Sequence, residues 1–267
     1  MNSDYVDIIV ERPSDGIVIA TLNRPARRNA LSDQMFRDLA RLQVDVEEDS
    51  SIRALIINGA GVGFCAGLDL DVATALTTMS ATEFLTNQER WADSIAGFSR
   101  LGVPVIAAVN GSAAGAGFAL ALACDIRIAG TSARFNAAFV KVGLSAGDCG
   151  ASWFLPRIVG LGRATEILLT GRFVEAREAL SMGLVTDVVD DDSILDRARE
   201  VAEAIRANSP FGMRMTKQVI VANTAAGSLE VALAIENRTQ VLASRTSDMA
   251  EALAAFRERR APEFTGS

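Results

Sequence analysis

Two short segments rich in glycine and alanine carry the pattern most suited to chemistry. Residues 63–70 (GFCAGLDL) and 110–117 (NGSAAGAG) each follow a strand-like run and precede a helix-like one. At such a turn, backbone N–H groups are left without partners within the chain and point outward together. Two such turns that meet would form a pocket for an oxygen that acquires negative charge during a reaction. The sequence therefore predicts an oxyanion site built from main-chain amides.

The composition limits the classes of function that this chain can serve. It has 267 residues, of which 49% are hydrophobic, so it can bury one large core. The net charge is −7 and no block of lysine and arginine stands out, which argues against nucleic acid or an anionic membrane as the main partner. No signal-like N-terminus and no bilayer-spanning apolar run are evident, so we expect a cytoplasmic protein.

Metal and thiol chemistry are disfavoured by the residue types present. The chain has no histidine, and its three cysteines, Cys65, Cys124 and Cys149, show no metal-ligand spacing. We therefore expect no metal site and reduced, buried thiols. Without a histidine to activate it, Cys149 is also a poor candidate for a nucleophile.

Strands and helices alternate in the first half of the chain, which predicts a largely parallel α/β core. The predicted strands are 5–11, 17–22, 54–58, 103–109 and 125–129. The predicted helices of this half are 32–48, with Ser32 as its N-cap, 82–100, and a third that ends at residue 123. After about residue 150 the pattern is helical, with one strand at 184–189 and terminal helices at 194–207, 210–223, 228–243 and 247–259. Such a terminal helical layer is typical of regions that serve assembly.

Six motifs follow one another along nearly the whole chain. They are LNRP…NAL (22–31), FCAGLDL (64–70), NG…GAG…CDI (110–126), GL…G…LPR…G (143–160), A…LLTGR…A…A…GLV (164–185) and F…RAPEF (256–264). In this order and at this spacing, they resemble the crotonase superfamily, the enoyl-CoA hydratase/isomerase group.

The resemblance implies a crotonase-like spiral of ββα units over residues 1–195, which holds an acyl-CoA site. Residues 196–267 are then a C-terminal helical region for trimerisation, since members commonly form homotrimers or hexamers of two trimers. Members bind acyl-CoA thioesters and use two main-chain N–H groups to hold the thioester oxygen as it becomes an enolate. In this chain those donors are the amides of Leu68 and Ala116, and no cofactor besides the CoA substrate is implied. Family members usually have glycine where Ala116 stands, so we expect its methyl group to narrow the pocket.

Further substrate contacts are predicted around the same segments. Arg27 and Arg28 could bind the CoA phosphates because a guanidinium bonds bidentately to phosphate; the alternative is a solvated turn. The resemblance implies that the pantetheine and acyl groups contact Ala30, Ala66, Leu68, Asp69, Leu70, Ala116 and Phe139. For Asp69, the alternative is that it caps the next helix.

The chain departs from the hydratase pattern at the two positions where hydratases of the family carry glutamates. Aligned on the motifs, these positions fall on Ala119 and Phe139, and neither side chain can accept a proton. The resemblance therefore does not support ordinary hydration by a pair of glutamates.

Asp148 is the remaining candidate for the proton carrier. It lies in the loop that borders the acyl pocket in the family, where phenylacetate-pathway isomerases and chlorobenzoyl-CoA dehalogenases look to have their working aspartate. One carboxylate can remove a proton from one carbon and return it to another, so we expect double-bond isomerisation. Three alternatives stay open: Asp148 caps a helix at 149–159, the protein binds acyl-CoA without turning it over, or it is an acyl-CoA hydrolase or lyase.

Overall fold

The structure, a computed structural model, describes residues 5–267 and contains two sheets. Its strands are β1 (Ile8–Ser14), β2 (Ile17–Leu22), β3 (Ala54–Gly59), β4 (Val105–Val109), β5 (Ser112–Ala114), β6 (Ile126–Gly130), β7 (Arg134–Asn136), β8 (Val174–Glu175) and β9 (Asp187–Val189). The larger sheet has the order β1-β2-β3-β4-β6-β9, and the smaller sheet has the order β5-β7-β8. In the larger sheet β1 and β2 pair antiparallel and the other neighbours pair parallel, so the predicted parallel core is confirmed.

Helices surround the sheets and continue beyond them. They are α1 (Asp33–Glu48), α2 (Leu70–Leu76), α3 (Ala81–Ala96), α4 (Ala116–Ala123), α5 (Ala151–Val159), α6 (Leu161–Thr170), α7 (Ala176–Ser181), α8 (Ile194–Arg206), α9 (Pro210–Asn223), α10 (Leu229–Ala243) and α11 (Ser247–Glu258). As predicted, Ser32 caps α1, because its hydroxyl accepts a hydrogen bond from the Met35 N–H at 3.0 Å. None of these helices, all within residues 5–267, is long and apolar enough to cross a membrane.

Two hydrophobic cores lie on opposite faces of the larger sheet. Successive residues of β3 alternate between them, since Leu55 and Ile57 belong to the larger core and Ile56 to the smaller one. The smaller core is closed by α8 through Ala198 and Ala202. The predicted division between residues 195 and 196 lies inside α8, a helix whose packing joins it to the sheet. Among the described residues, α9, α10 and α11 contribute no side chain to either core.

The structure moves or divides some of the predicted elements. β1 begins and ends three residues later than predicted, because its hairpin with β2 extends to a pair between Ser14 and Ile17. The helix predicted at 82–100 ends at Ala96 and continues as a 3-10 helix. There the backbone packs directly on α1: a Cβ added to Gly97 would lie 2.0 Å from the side-chain oxygen of Gln43. This tightening comes from a contact between distant segments, which a local pattern does not report.

An ion pair with a buried lysine attaches the C-terminal helices to the sheet. The ammonium of Lys217, on α9, lies 2.7 Å from the carboxylate of Asp125, which precedes β6. It also donates a hydrogen bond to the carbonyl of Val103 at 2.9 Å. The Asp125 carboxylate in turn accepts from the Val105 N–H at 2.8 Å. Because Lys217 is 8% exposed, little water can replace the Asp125 carboxylate as its partner, and the pair ties α9 to the start of β4 and β6.

We expect Lys217→Met to lower the free energy of unfolding by about 2 kcal/mol, because the Asp125 carboxylate and the Val103 carbonyl both lose the Lys217 ammonium as a donor. Denaturant unfolding followed by circular dichroism measures the change. The matched control is Lys141→Met, since Lys141 is exposed and makes no ion pair within residues 5–267. Equal free energies of unfolding for the two variants would contradict a stabilising role of the Lys217–Asp125 pair.

Candidate active site

Main-chain hydrogen bonds hold the two glycine-rich segments side by side. The Cys65 N–H donates to the Ser112 carbonyl at 3.0 Å, and the Ala114 N–H donates back to the Cys65 carbonyl at 2.9 Å. These bonds pair the turn after β3 with β5, which leads into α4. The two turns therefore meet, as an oxyanion site of main-chain amides requires.

Glycine at position 67 allows the two turns to come into contact. Gly67 has φ +91°, a conformation that L side chains rarely adopt. A Cβ at this position would lie 2.7 Å from the Ala114 carbonyl oxygen and 3.5 Å from the Ala116 nitrogen. The peptide that ends in the Leu68 nitrogen therefore lies directly against the N-terminus of α4.

The amides of Leu68 and Ala116 are free to bind an oxygen in the space between the turns. Leu31 occupies one side of the first segment, because its N–H donates to the Gly67 carbonyl at 2.7 Å and its carbonyl accepts from the Asp69 N–H at 3.0 Å. The Leu68 N–H thus points to the other side. Among the main-chain hydrogen bonds of residues 5–267, neither the Leu68 nor the Ala116 N–H has an acceptor, and both residues line the same cavity.

This cavity has a volume of about 430 Å³ and mostly apolar walls. Aromatic rings form much of the lining, from Phe36, Phe84, Trp91 and Phe139. The Phe36 and Trp91 rings stack with their centroids 5.3 Å apart. The remaining lining includes Ala66, Leu70, Ala73, Leu76, Ala138, Val142, Leu144, Ser145, Gln88, Asp148 and Cys149. Such a space suits an apolar group whose reactive carbonyl lies at the two free amides.

Asp148 is the one carboxylate among the described residues that line the cavity. One of its oxygens, Oδ1, accepts hydrogen bonds from the Gln88 side-chain amide and from the Cys149 thiol, whose sulfur lies at 3.3 Å. Its other oxygen, Oδ2, has no hydrogen-bond partner within residues 5–267. The carboxylate therefore has an open acceptor oxygen, and Asp148 lines the same cavity as Leu68 and Ala116.

The Asp148 side chain does not cap α5. α5 begins at Ala151 with Gly150 as its N-cap, and no side chain caps it. Asp148 contributes its main-chain carbonyl, which accepts from the Ala151 N–H at 2.8 Å. The side chain is left to the cavity.

Cys149 lies beside Asp148 as a protonated thiol. Burial raises the pKa of the Cys149 thiol, and the neighbouring Asp148 carboxylate raises it further. Because the thiolate is the nucleophilic form, this cysteine is inert at neutral pH, in line with the prediction from the missing histidine. Its φ of +48° is unusual for a non-glycine residue and marks a strained backbone at the edge of the cavity.

The two positions of the hydratase glutamates differ in their surroundings. Phe139 lines the cavity with its ring, whereas Ala119 is fully buried in α4 and is not among the lining residues. Neither offers a carboxylate, so a water in this cavity would have Asp148 as its single acidic partner among the described lining residues.

Some of the predicted substrate contacts line the cavity and others lie outside its walls. Ala66, Leu68, Leu70, Ala116 and Phe139 line the cavity, whereas Ala30, Asp69, Arg27 and Arg28 are not part of its walls. Arg27 and Arg28 are exposed beside the first segment. Arg27 has a partner in Asp71 at 3.6 Å, and the Arg28 carbonyl accepts from the Ala66 N–H at 3.0 Å.

Asp69 performs the capping role that was left open for it. Its carboxylate accepts from the Asp71 N–H at 3.0 Å as the N-cap of α2, and it pairs with Arg24 at 2.7 Å. Burial favours the protonated form of Asp69, but the Asp71 N–H and the Arg24 guanidinium outweigh it and hold its pKa below the usual value. The carboxylate is thus engaged within the protein.

The sequence interpretation missed Gln88 as part of the site. Phe84 and Trp91 are large apolar residues of the predicted helix at 82–100, and Gln88 lies four residues after the first and three before the second. At this spacing the three side chains share one face of α3, which could have indicated that Gln88 also faces the cavity.

We expect Gly67→Ala to lower the free energy of unfolding by about 2 kcal/mol. The new methyl group would collide with the Ala114 carbonyl oxygen, and alanine would be strained at the positive φ of this position. Urea unfolding measures it. The control is Gly162→Ala in α6, where a Cβ meets nothing within 4 Å and should leave stability unchanged or slightly raised. A Gly67→Ala protein as stable as the control would contradict the close approach of the two turns.

The chain is similar to known proteins over nearly its whole length. Residues 12–267 match the family described as Enoyl-CoA hydratase/isomerase. The chain is 40% identical to the 1,2-epoxyphenylacetyl-CoA isomerase of Escherichia coli, over 98% of this chain and 99% of that protein. It is 37% identical to the (E)-benzylidenesuccinyl-CoA hydratase of Thauera aromatica, over 95% and 97% of the two chains.

Solved structures show the same similarity. An enoyl-CoA hydratase from Bacillus anthracis superposes with a TM-score of 0.93 at 33% identity, over 98% of this chain and 100% of that one. The mixed α/β architecture agrees with the crotonase fold predicted from the motifs. This chain belongs to the enoyl-CoA hydratase/isomerase family and has the crotonase fold.

Proposed function

We propose that this protein shifts the double bond of an enoyl-CoA thioester, with Asp148 as the group that moves the proton. The observation that carries the proposal is the position of Asp148: it is the one carboxylate among the described residues lining the cavity, and it shares that cavity with the free amides of Leu68 and Ala116. A base and an oxyanion site that face the same space are the two parts that enolate chemistry needs.

The two amides make the proton removable. A proton next to a thioester carbonyl is weakly acidic, so a carboxylate can remove it when the negative charge that develops on the oxygen is stabilised at the same time. One preorganised oxyanion donor typically contributes about 3 kcal/mol in the transition state. The Ala116 amide also lies at the N-terminus of α4, where the helix dipole favours negative charge.

One carboxylate is enough for isomerisation. Asp148 takes the proton from the carbon on one side of the developing enolate system, and the same carboxylic acid returns a proton at the other end. Hydration requires in addition a water that is held and activated, and Ala119 and Phe139 supply no group for that task. Relatives with both kinds of name are similar to this chain, and the single carboxylate favours the isomerase among them.

The lining indicates the kind of acyl group. The aromatic and aliphatic side chains around the two amides have few polar atoms to pair, so an apolar acyl group fits them best. Arg27 and Arg28 are exposed beside the first segment, and their exposure supports the proposal that they bind the CoA phosphates. The proposed reaction uses no cofactor besides the CoA thioester.

We also propose that the protein assembles as a homotrimer or as a hexamer of two trimers. In support, α10 keeps large apolar side chains exposed in the single chain, among them Leu229 at 68% and Val241 at 59%. Clusters of this kind usually mark contact surfaces. Light scattering coupled to size-exclusion chromatography measures the mass, and a monomer at micromolar concentration would contradict the assembly.

We expect Asp148→Asn to abolish isomerisation while acyl-CoA binding is retained, because the amide keeps the shape of the side chain but cannot accept the proton. A panel of straight-chain and aryl 3-enoyl-CoA and 2-enoyl-CoA thioesters is incubated in deuterated water, and products are followed by mass. Wild type should interconvert the isomers with deuterium incorporation, and the variant should lose at least about 10³-fold in rate. Asp93→Asn is the control, since Asp93 is exposed on α3 and its partner is Arg100.

Other outcomes would contradict the proposal. Unchanged deuterium incorporation by Asp148→Asn would exclude Asp148 as the base. Water addition or thioester cleavage by wild type without isomerisation would indicate a hydratase or a hydrolase. Tight binding of the thioesters without turnover or exchange would indicate a binding protein.

A further inference from the structure

The two oxygens of the Asp148 carboxylate lie in different surroundings. Oδ1 accepts from the Gln88 amide nitrogen and from the Cys149 thiol, while Oδ2 has no partner among residues 5–267. The Gln88 contact joins residues 60 positions apart, from α3 to the loop before α5. The carboxylate is therefore held at one edge and open at the other.

The helix that carries Gln88 is itself well anchored. At its N-terminus Ser80 and Glu83 form a capping box. On the face of Gln88, the Trp91 ring stacks on Phe36 and its indole N–H donates to Asp33 at 3.1 Å. Gln88 is half-buried between these contacts and the cavity. Its amide thus reaches Asp148 from an anchored helix.

We infer that Gln88 is a positioning residue that directs the transferred proton to Oδ2 of Asp148. The inference rests on the proposed isomerisation and names a residue beyond it. The amide nitrogen of Gln88 is a donor and cannot accept. A proton on Oδ1 would lie against the amide hydrogen of Gln88, and the two hydrogens would repel each other. A proton on Oδ2 instead leaves Oδ1 as a carbonyl oxygen, which still accepts the hydrogen bond from Gln88. The contact therefore suits both protonation states of Asp148 as long as the proton is on Oδ2.

The proton balance of the reaction follows from this arrangement. Oδ2 takes the proton from the substrate carbon, and the electron pair of the broken C–H bond enters the dienolate held by Leu68 and Ala116. The O–H bond of Oδ2 then breaks as the proton returns to the other carbon, and the carboxylate is restored. Throughout, Gln88 prevents rotation of the carboxyl group, which would carry the proton away from the substrate.

The test replaces the donor without changing the size of the side chain. We expect Gln88→Met to lower kcat about tenfold to a hundredfold with KM within about threefold of wild type, since a bond to a charged group is lost but the thioester contacts remain. The free rotation of the carboxyl should also raise the deuterium incorporated from solvent per turnover. Gln88→Glu, which has the same length but acceptors in place of the donor, should be impaired at least as much.

The matched control is Gln34→Met. Gln34, on α1, makes the same kind of bond, from its amide to the Asp38 carboxylate at 2.7 Å, and it is not among the lining residues of the cavity. Each variant is assayed with the 3-enoyl-CoA that wild type converts fastest, and its thermal midpoint is measured alongside. A merely structural role of Gln88 would lower the midpoint without changing the deuterium incorporated per turnover.

The possible results separate this inference from the proposed function. If Asp148→Asn is inactive and Gln88→Met has wild-type kcat and deuterium incorporation, Gln88 does not position the proton and the inference is wrong. If Asp148→Asn remains active, or wild type isomerises no thioester of the panel, the proposed function fails and the inference fails with it. A loss of kcat and a rise in solvent deuterium in Gln88→Met, both absent in Gln34→Met, support it.

Discussion

The main-chain pairing of the two glycine-rich turns is the constraint on which the site depends. Cys65 exchanges hydrogen bonds with Ser112 and Ala114, and this brings the Leu68 and Ala116 amides to one cavity. The approach requires glycine in the first turn and in the facing helix, at Gly67 and Gly117. A Cβ on Gly117 would lie 2.3 Å from the Cys65 carbonyl oxygen. Small residues here serve close packing and an oxyanion site at the same time.

Few polar groups lie around this pair of amides, and this limits the reactions that the cavity can support. Apolar and aromatic side chains form most of the walls, so a charge inside the cavity is poorly solvated and the fixed amides act on it strongly. Asp148 is the proposed acid–base group, and Gln88 and Cys149 donate hydrogen bonds to it. In this arrangement the proposed proton transfer depends on the orientation of one carboxyl group.

The remainder of the chain keeps these parts in place. The parallel strands β3 and β4 end at the two turns, so the sheet delivers both glycine-rich segments to the same edge. α3 closes the cavity with one face, and α8 seals the opposite face of the sheet. Beyond α8, the ion pair of Lys217 and Asp125 fastens a helical region that has large apolar side chains exposed, and the proposed assembly rests on this surface.

By itself, the sequence determined the α/β class, the two glycine-rich turns and the candidacy of Asp148, because hydrophobic periodicity, glycine-rich turns and motif order are properties of neighbouring residues. The tertiary structure alone decided which groups Asp148 meets. Gly150 rather than Asp148 is the N-cap of α5, and Gln88 reaches Asp148 from 60 residues away. It also decided that Phe139 faces the cavity while Ala119 does not. Such outcomes depend on how separate segments pack against each other, and the local sequence does not specify which half-buried polar residue will find a partner across the cavity.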